Sequence, residues 1–334
     1  MDIKFIRHFS LNEKKKAFAL INKIIKNVYD RSWKCLSPAC TERAIKSHVL
    51  QKNGILSRLS VDSHVYCLSV NEDYNGINGK TYFKRVGVNK ALAYPLFCEY
   101  HDREIFKKIE ISHFDLFNYE IQLLFNYRAV CCELHKKRIG LELSKRALNS
   151  KTLDLYIDKE NYRNSLQLFE LGIRDCEFYK VEIEKEFQKS SSIFKIEIFE
   201  YPLIKVSASA IFSPLDFYAQ MSLDIYKNVF INLIPYQDKL YIVIAYHKLY
   251  SNEWIENFIK SWKGLSQKGL EEKISELLAT RIEAFCLSPT IVSKMDSNEK
   301  KKFLDYCFEN VYNLSKYQFY KGNIFNEAAI GILN

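Results

Sequence analysis

Chain breakers are scarce in this sequence. Ten glycines and six prolines among 334 residues leave few points at which a helix must stop, so long helices are expected. No run of about 18 apolar residues occurs, and no membrane span is expected. The opening stretch MDIKFIRHFSLNEKKK is charged within its first residues and has no apolar core segment. A secretion signal is therefore not expected, and a cytoplasmic location is. A glycine-rich phosphate loop, a dinucleotide fingerprint and a nucleophile elbow are all missing. No internal repeat or low-complexity tract stands out.

What is present is the composition of a folded protein, 48% hydrophobic and 27% charged, far from that of a disordered chain. The formal net charge is +9, a mild basic excess compatible with a polyanionic partner. Nine cysteines are an odd count in a chain with no secretion signal. That points to a reducing compartment, with some thiols on metal and the rest buried.

The stretch from Trp33 to Glu110 organises the rest. It opens with WKCLSPACTERAIKSHVL and closes with LFCEYHDREIFKKIE. Cys35 and Cys40 form a Cys-x4-Cys pair around Pro38, and Cys98 and His101 form a Cys-x2-His pair. Three thiolates and one imidazole make a complete tetrahedral donor set for Zn²⁺, and four protein ligands leave no open position, so the ion would be structural. The two pairs can meet only if the long segment between them folds back.

Along the chain, residues 10–30 read as a helix with a Ser10–Glu13 capping box and an apolar face of Phe18, Ile21, Ile25 and Val28. AIKSHVL, a short strand or helix start, carries His48. DSHVYCLSV is strand-like and carries His64. Asn75-Gly76 and Asn78-Gly79 mark turns. Residues 112–149 read as a long helix capped by Ser112 with Asp115, buried along Phe117, Ile121, Leu124 and Cys131 or Cys132. Its far end is basic, with Lys136, Lys137, Arg138, Lys145 and Arg146. Residues 160–189 read as a second helix, with Leu166, Phe169, Ile173, Cys176, Ile183 and Phe187 near heptad spacing. The two suggest an antiparallel hairpin, a spacer or dimerisation arm whose leading use is intramolecular packing. Ser190, Ser191 and Ser192 suggest a hinge. The period then changes to two in FKIEIFE, LIKVSASAIF, VFINLIPY and KLYIVIAYH, with a hairpin turn at Gln237-Asp238, for an antiparallel sheet of about four strands. Residues 251–263, 270–285 and 297–319 return to helical spacing. The expected class is α+β and helix-rich, in three parts: a zinc-knuckle module over 1–111, a helical hairpin over 112–190 and a C-terminal α/β domain over 191–334.

Within 33–110 the pattern resembles the HNH, or His-metal finger, endonucleases, in which a zinc knuckle braces a strand-strand-helix unit. The resemblance puts His48 at the general-base position and Ser47 at the preceding ligand position. Cys98 and His101 fall on the second zinc pair, His101 replacing the usual Cys. Asp102 falls on the helix ligand that follows, and Asn89 lies roughly at the middle Asn. Phe106 stands where a second helix ligand is often seen, and His64 or Glu110 would supply the missing one. The implied catalytic set is His48, Asp102 and His64 with Mg²⁺ or Mn²⁺. The implied activity is metal-dependent cleavage of DNA or RNA, of the kind often found in prokaryotic anti-phage systems. Basic residues of the N-terminal and first long helices would contact phosphates. The competing expectation is a zinc-stabilised module that binds nucleic acid or protein without cleaving it. The helical hairpin or C-terminal domain would then contact a second copy or a partner protein.

Overall fold

The computed structural model describes residues 10–71, 80–111, 113–189, 191–213, 227–312 and 320–325. The expected Ser112 cap, the Asn75-Gly76 and Asn78-Gly79 turns, Ser190 and the end of the last helix fall outside them. In chain order come α1 (Leu11–Tyr29), β1 (Ile45–His48), a π-turn over Lys52–Leu56 running into α2 (Ser57–Leu59), β2 (His64–Asn71), β3 (Lys80–Gly87), β4 (Ala93–Phe97) and α3 (Glu99–Phe106). Next are α4 (Tyr119–Leu148), α5 (Lys159–Lys189), β5 (Phe194–Pro202), β6 (Val206–Phe212), β7 (Val229–Tyr236) and β8 (Lys239–His247). The chain continues through α6 (Glu253–Lys260), α7 (Gln267–Thr280), β9 (Phe285–Leu287), α8 (Pro289–Lys294) and α9 (Ser297–Tyr312). The class is α+β, with antiparallel sheets and a long pair of helices. Among the described residues no helix is long and apolar enough to cross a membrane.

Two sheets organise these elements. β1 pairs with β4 in a small antiparallel ribbon, and a seven-stranded sheet runs in the order β3-β2-β9-β6-β7-β8-β5. The four strands expected between 194 and 247 are all present, and Tyr236 faces Lys239 across the expected Gln237-Asp238 turn. The sheet is larger than expected because β2 and β3 join it from far upstream through β9. β9 begins at Phe285, the last residue of the stretch read as helix over 270–285. The helix ends at Thr280, and Phe285, Cys286 and Leu287 fill the gap between β2 and β6.

Both faces of this sheet are covered. Along β8, Tyr241, Val243 and Ala245 join one core while Leu240, Ile242 and Ile244 join the other. The period of two is therefore hidden in an unbroken apolar run, as in any strand buried on both sides. α6, α7, α8 and α9 pack on one face. The other face meets α4, α5 and the β1–β4 ribbon in one core that runs from Cys35 to Cys286.

α4 is the central piece. From Ile121 to Cys132 every residue is buried, the signature of a helix enclosed on all sides. Its first turn is capped by Asn118, whose side chain accepts from the N–H groups of Glu120 and Ile121. The helix thus starts later than the expected 112, and Phe117, expected on the buried stripe, is 66% exposed. Asn126 holds α4 to the sheet by accepting a hydrogen bond from Asn232 Nδ2 at 2.9 Å. Asn232 in turn accepts from Ser209 at 2.7 Å. α1 carries its expected capping box and packs against the far end of α4.

Candidate functional site

The first corner is built by a tight loop. Pro38 restricts one backbone angle, Ala39 takes the left-handed conformation at φ 57°, and the Ser37 N–H donates to Cys35 Sγ at 3.4 Å. The loop is tied to the ribbon by the Leu36 N–H, which donates to the Leu96 carbonyl at 2.8 Å. The second corner is the start of α3, where Cys98 is the N-cap. Burial pushes the Cys98 thiol up, but the N–H groups of His101 and Tyr100 and its neighbours Cys35 and Cys40 outweigh it and hold the thiol below its ordinary value. A thiolate at a helix start is favoured for the same reason as any anion there.

The corners meet. Cys40 Sγ lies 3.9 Å from Cys98 Sγ, Cys35 Sγ lies 3.6 Å from His101 Nδ1, and Cys98 Sγ lies 3.1 Å from His101 Nδ1. All four donor atoms fall within 4.8 Å of one another. Zn–S bonds of about 2.3 Å at tetrahedral angles put sulfurs about 3.8 Å apart. The group is therefore compatible with a structural zinc. It is the only cluster of three or more His, Cys, Asp or Glu ligands of this kind among the described residues.

The same fold-back brings a second set of side chains together behind the corner. His48 ends β1 and Asp102 lies in the first turn of α3. His48 Nε2 donates to the Val88 carbonyl at 3.0 Å, because a carbonyl can only accept. Burial holds the imidazole below its ordinary pKa, against the opposing Val88 contact, and Arg128 adds to the lowering. Burial raises the Asp102 carboxyl, while Arg128 and the Ser47 hydroxyl pull it back down. Glu110 acts on both groups. Asp102 Oδ1 is buried without a hydrogen-bond partner.

The other expected site residues fall into place as follows. Ser47 is 1% exposed, accepts from the Phe97 N–H at 3.3 Å, and pulls the Asp102 carboxyl down. Asn89 is an exposed turn residue adjoining Val88. Phe106 is fully buried against Phe97 and Tyr127. His64 opens β2 opposite Gly87 and directs Nδ1 to the Asp62 carbonyl at 2.6 Å. It is not among the groups that act on His48 or Asp102. The basic end of α4 is matched by acids: Lys136 and Lys137 meet Glu133, Arg138 meets Glu177, Lys145 meets Glu170 and Arg146 meets Glu142.

Arg128 is the residue that sequence reasoning missed. A single arginine inside the apolar run from Ile121 to Cys132 was the available signal, since a buried charge requires a partner. Comparison with known proteins adds no family. The chain matches no family model, no curated protein and no solved structure.

Proposed function

We propose that the chain is a nuclease that hydrolyses phosphodiester bonds in DNA or RNA, in the manner its likeness to the His-metal finger enzymes implies. One observation carries this reading. A zinc-compatible corner, a strand ending in His48 and the first turn of α3 with Asp102 converge, so that a half-buried imidazole and a half-buried carboxylate from distant parts of the chain act on one another. With its pKa depressed, His48 is neutral at pH 7. Its Nε2 proton is held by Val88, so Nδ1 carries the free lone pair and would take the proton of an attacking water. The orphaned Asp102 Oδ1 is an acceptor suited to a hard cation, with Glu110 as the second carboxylate. Mg²⁺ or Mn²⁺ bound there would supply positive charge to the scissile phosphate and the leaving oxygen. Zinc on Cys35, Cys40, Cys98 and His101 would brace the unit without entering the chemistry. The exposed Lys46, Lys90 and Arg103 lie on the same ribbon and helix or the turn between them and would meet the phosphate backbone.

The test is nicking of a supercoiled plasmid, and cleavage of RNA, with Mn²⁺ in the presence and absence of chelator. His48→Ala is expected to lower cleavage by about a hundredfold or more, with zinc content and helix content unchanged. Full cleavage by His48→Ala would remove His48 from the role. Absence of metal-dependent cleavage by the wild type on both substrates would remove the nuclease reading.

A zinc-stabilised binding module without catalysis is the second reading. Ser47, which accepts from the Phe97 N–H, stands where a metal ligand is expected, so does Phe106, and no second cluster of three ligands lies within bonding reach among the described residues. Metal titration separates the two. One zinc per chain suits both readings, and an additional weaker Mn²⁺ site suits the nuclease alone.

A further inference from the structure

Arg128 reaches from the middle of α4 into the space beside α3, and its surroundings are unusual for a merely structural arginine. Its side chain is 2% exposed. Its Nη2 donates to Glu110 Oε1 at 2.5 Å. Its guanidinium carbon lies 4.1 Å from the centre of the Phe106 ring, a cation–π stack in a dry setting. Its Nε and Nη1 are buried with no hydrogen-bond partner, and Asp102 Oδ1 is in the same condition. Leaving charged groups unsatisfied in this way costs stability, a cost that a purely structural arginine would avoid by full pairing. Glu110 is itself held in place, because the adjoining Ile111 carbonyl accepts from Gln51 Nε2 at 3.0 Å, and Gln51 is fully buried three residues after His48.

We propose that Arg128 is a positioning residue of the His48–Asp102 site, supplied by the helical hairpin: stacked on Phe106 and clamped to Glu110, its guanidinium fixes the mutual placement of the imidazole and the carboxylate. This rests on the nuclease reading and extends it, since it makes α4 a wall of the site and not a spacer. The planar fork matters as well as the charge. A lysine would keep the positive charge but could not both stack on Phe106 and hold Glu110 through a fixed fork.

Two variants of the full-length protein test this, Arg128→Met and Arg128→Lys, and both leave Glu110 in place. Two readouts are needed. One is plasmid nicking, with kcat and KM separated. The other is the protonation midpoint of His48, followed by NMR in the zinc-loaded protein. Arg128→Met is expected to lower kcat by about a hundredfold with KM for DNA little changed, and to raise the His48 midpoint, because a positive neighbour has been removed. Arg128→Lys is expected to lower kcat as well while leaving the His48 midpoint near that of the wild type. Should Arg128→Met not fold, Arg128→Lys carries the test by itself: a kcat loss with the His48 midpoint held supports the proposal, and a wild-type kcat overturns it. An unchanged kcat, a defect confined to KM, or full rescue by lysine would overturn the proposal. If the wild type cleaves nothing, the nuclease reading fails by itself. The His48 midpoint then still decides whether Arg128 acts on the pair, and an unmoved midpoint in Arg128→Met overturns that too.

Discussion

The zinc-compatible corner and the His48–Asp102 cluster lie side by side in one module, yet they resolve their polar groups in opposite ways. At the corner, three sulfurs and a nitrogen converge on one point with the spacing that a single ion satisfies. Behind it, a half-buried imidazole, two half-buried carboxylates and a buried guanidinium act on one another, with donors and an acceptor left over. The first arrangement is self-complementary and stabilises the fold. The second leaves polar atoms unsatisfied and costs stability.

That contrast can be broken from the corner first. Cys98→Ser, or removal of metal by a strong chelator, is expected to produce the largest loss. It should be on the order of 5 kcal/mol or more, since apparent zinc-binding free energies of small structural sites reach about 10–16 kcal/mol. The check is metal content alongside thermal melting, with collapse of the 33–110 segment seen by proteolysis.

A smaller effect sharpens the comparison from a third place, the histidine behind the corner. His135 is 2% exposed against Trp33 and Tyr94, and burial, with Arg138, pushes it down to about 4 from 6.5. Its folded value is depressed, so the unfolded chain takes up its proton first. The contribution is intact above pH 6.5, is lost progressively as pH falls, and is gone below about pH 4. The full loss is about 3 kcal/mol. Denaturant melts across that window should show it, and His135→Phe should flatten the dependence.

The smallest effect has the opposite sign. Burial raises the Asp102 carboxyl, so its ionised form works against the fold at neutral pH and that penalty is relieved as pH falls through its folded value. Asp102→Asn is expected to stabilise the protein by about 0.5–1 kcal/mol while abolishing cleavage. Were Asp102→Asn to destabilise as Cys98→Ser does, the two regions would not differ in the way described.

How much of this could be read from residues alone follows the range of the interactions. Ser10 and Glu13 sit three apart and their cap was legible. So were the long α5 and the existence of strands β5 to β8. That Cys35, Cys40, Cys98 and His101 come together was legible because soft donors in two close-spaced pairs declare a common purpose by chemistry even at long separation. Phe117 misled because Asn118 takes the cap and leaves the ring outside the helix. β9 was hidden because three apolar residues at the end of a helical pattern carry no period of their own. The union of β2 and β3 with the C-terminal strands depends on that same short segment, with Cys67 and Cys286 opposite one another in the register. Arg128 and Glu110 belong to the cluster only because α4 threads between the ribbon and the sheet, which no local pattern encodes.

Asn126 and Arg128 stand two residues apart, on nearly opposite sides of α4. One is bonded to β7 and the other lies over Phe106. Sliding α4 by a single helical step, about 1.5 Å, would strain the amide contact on one flank and lift the guanidinium from the ring on the other. The helix therefore behaves as a shared axle. A change in the strands that grips or loosens Asn232 would be carried along α4 to the stack on Phe106, on the far side of the helix from the sheet.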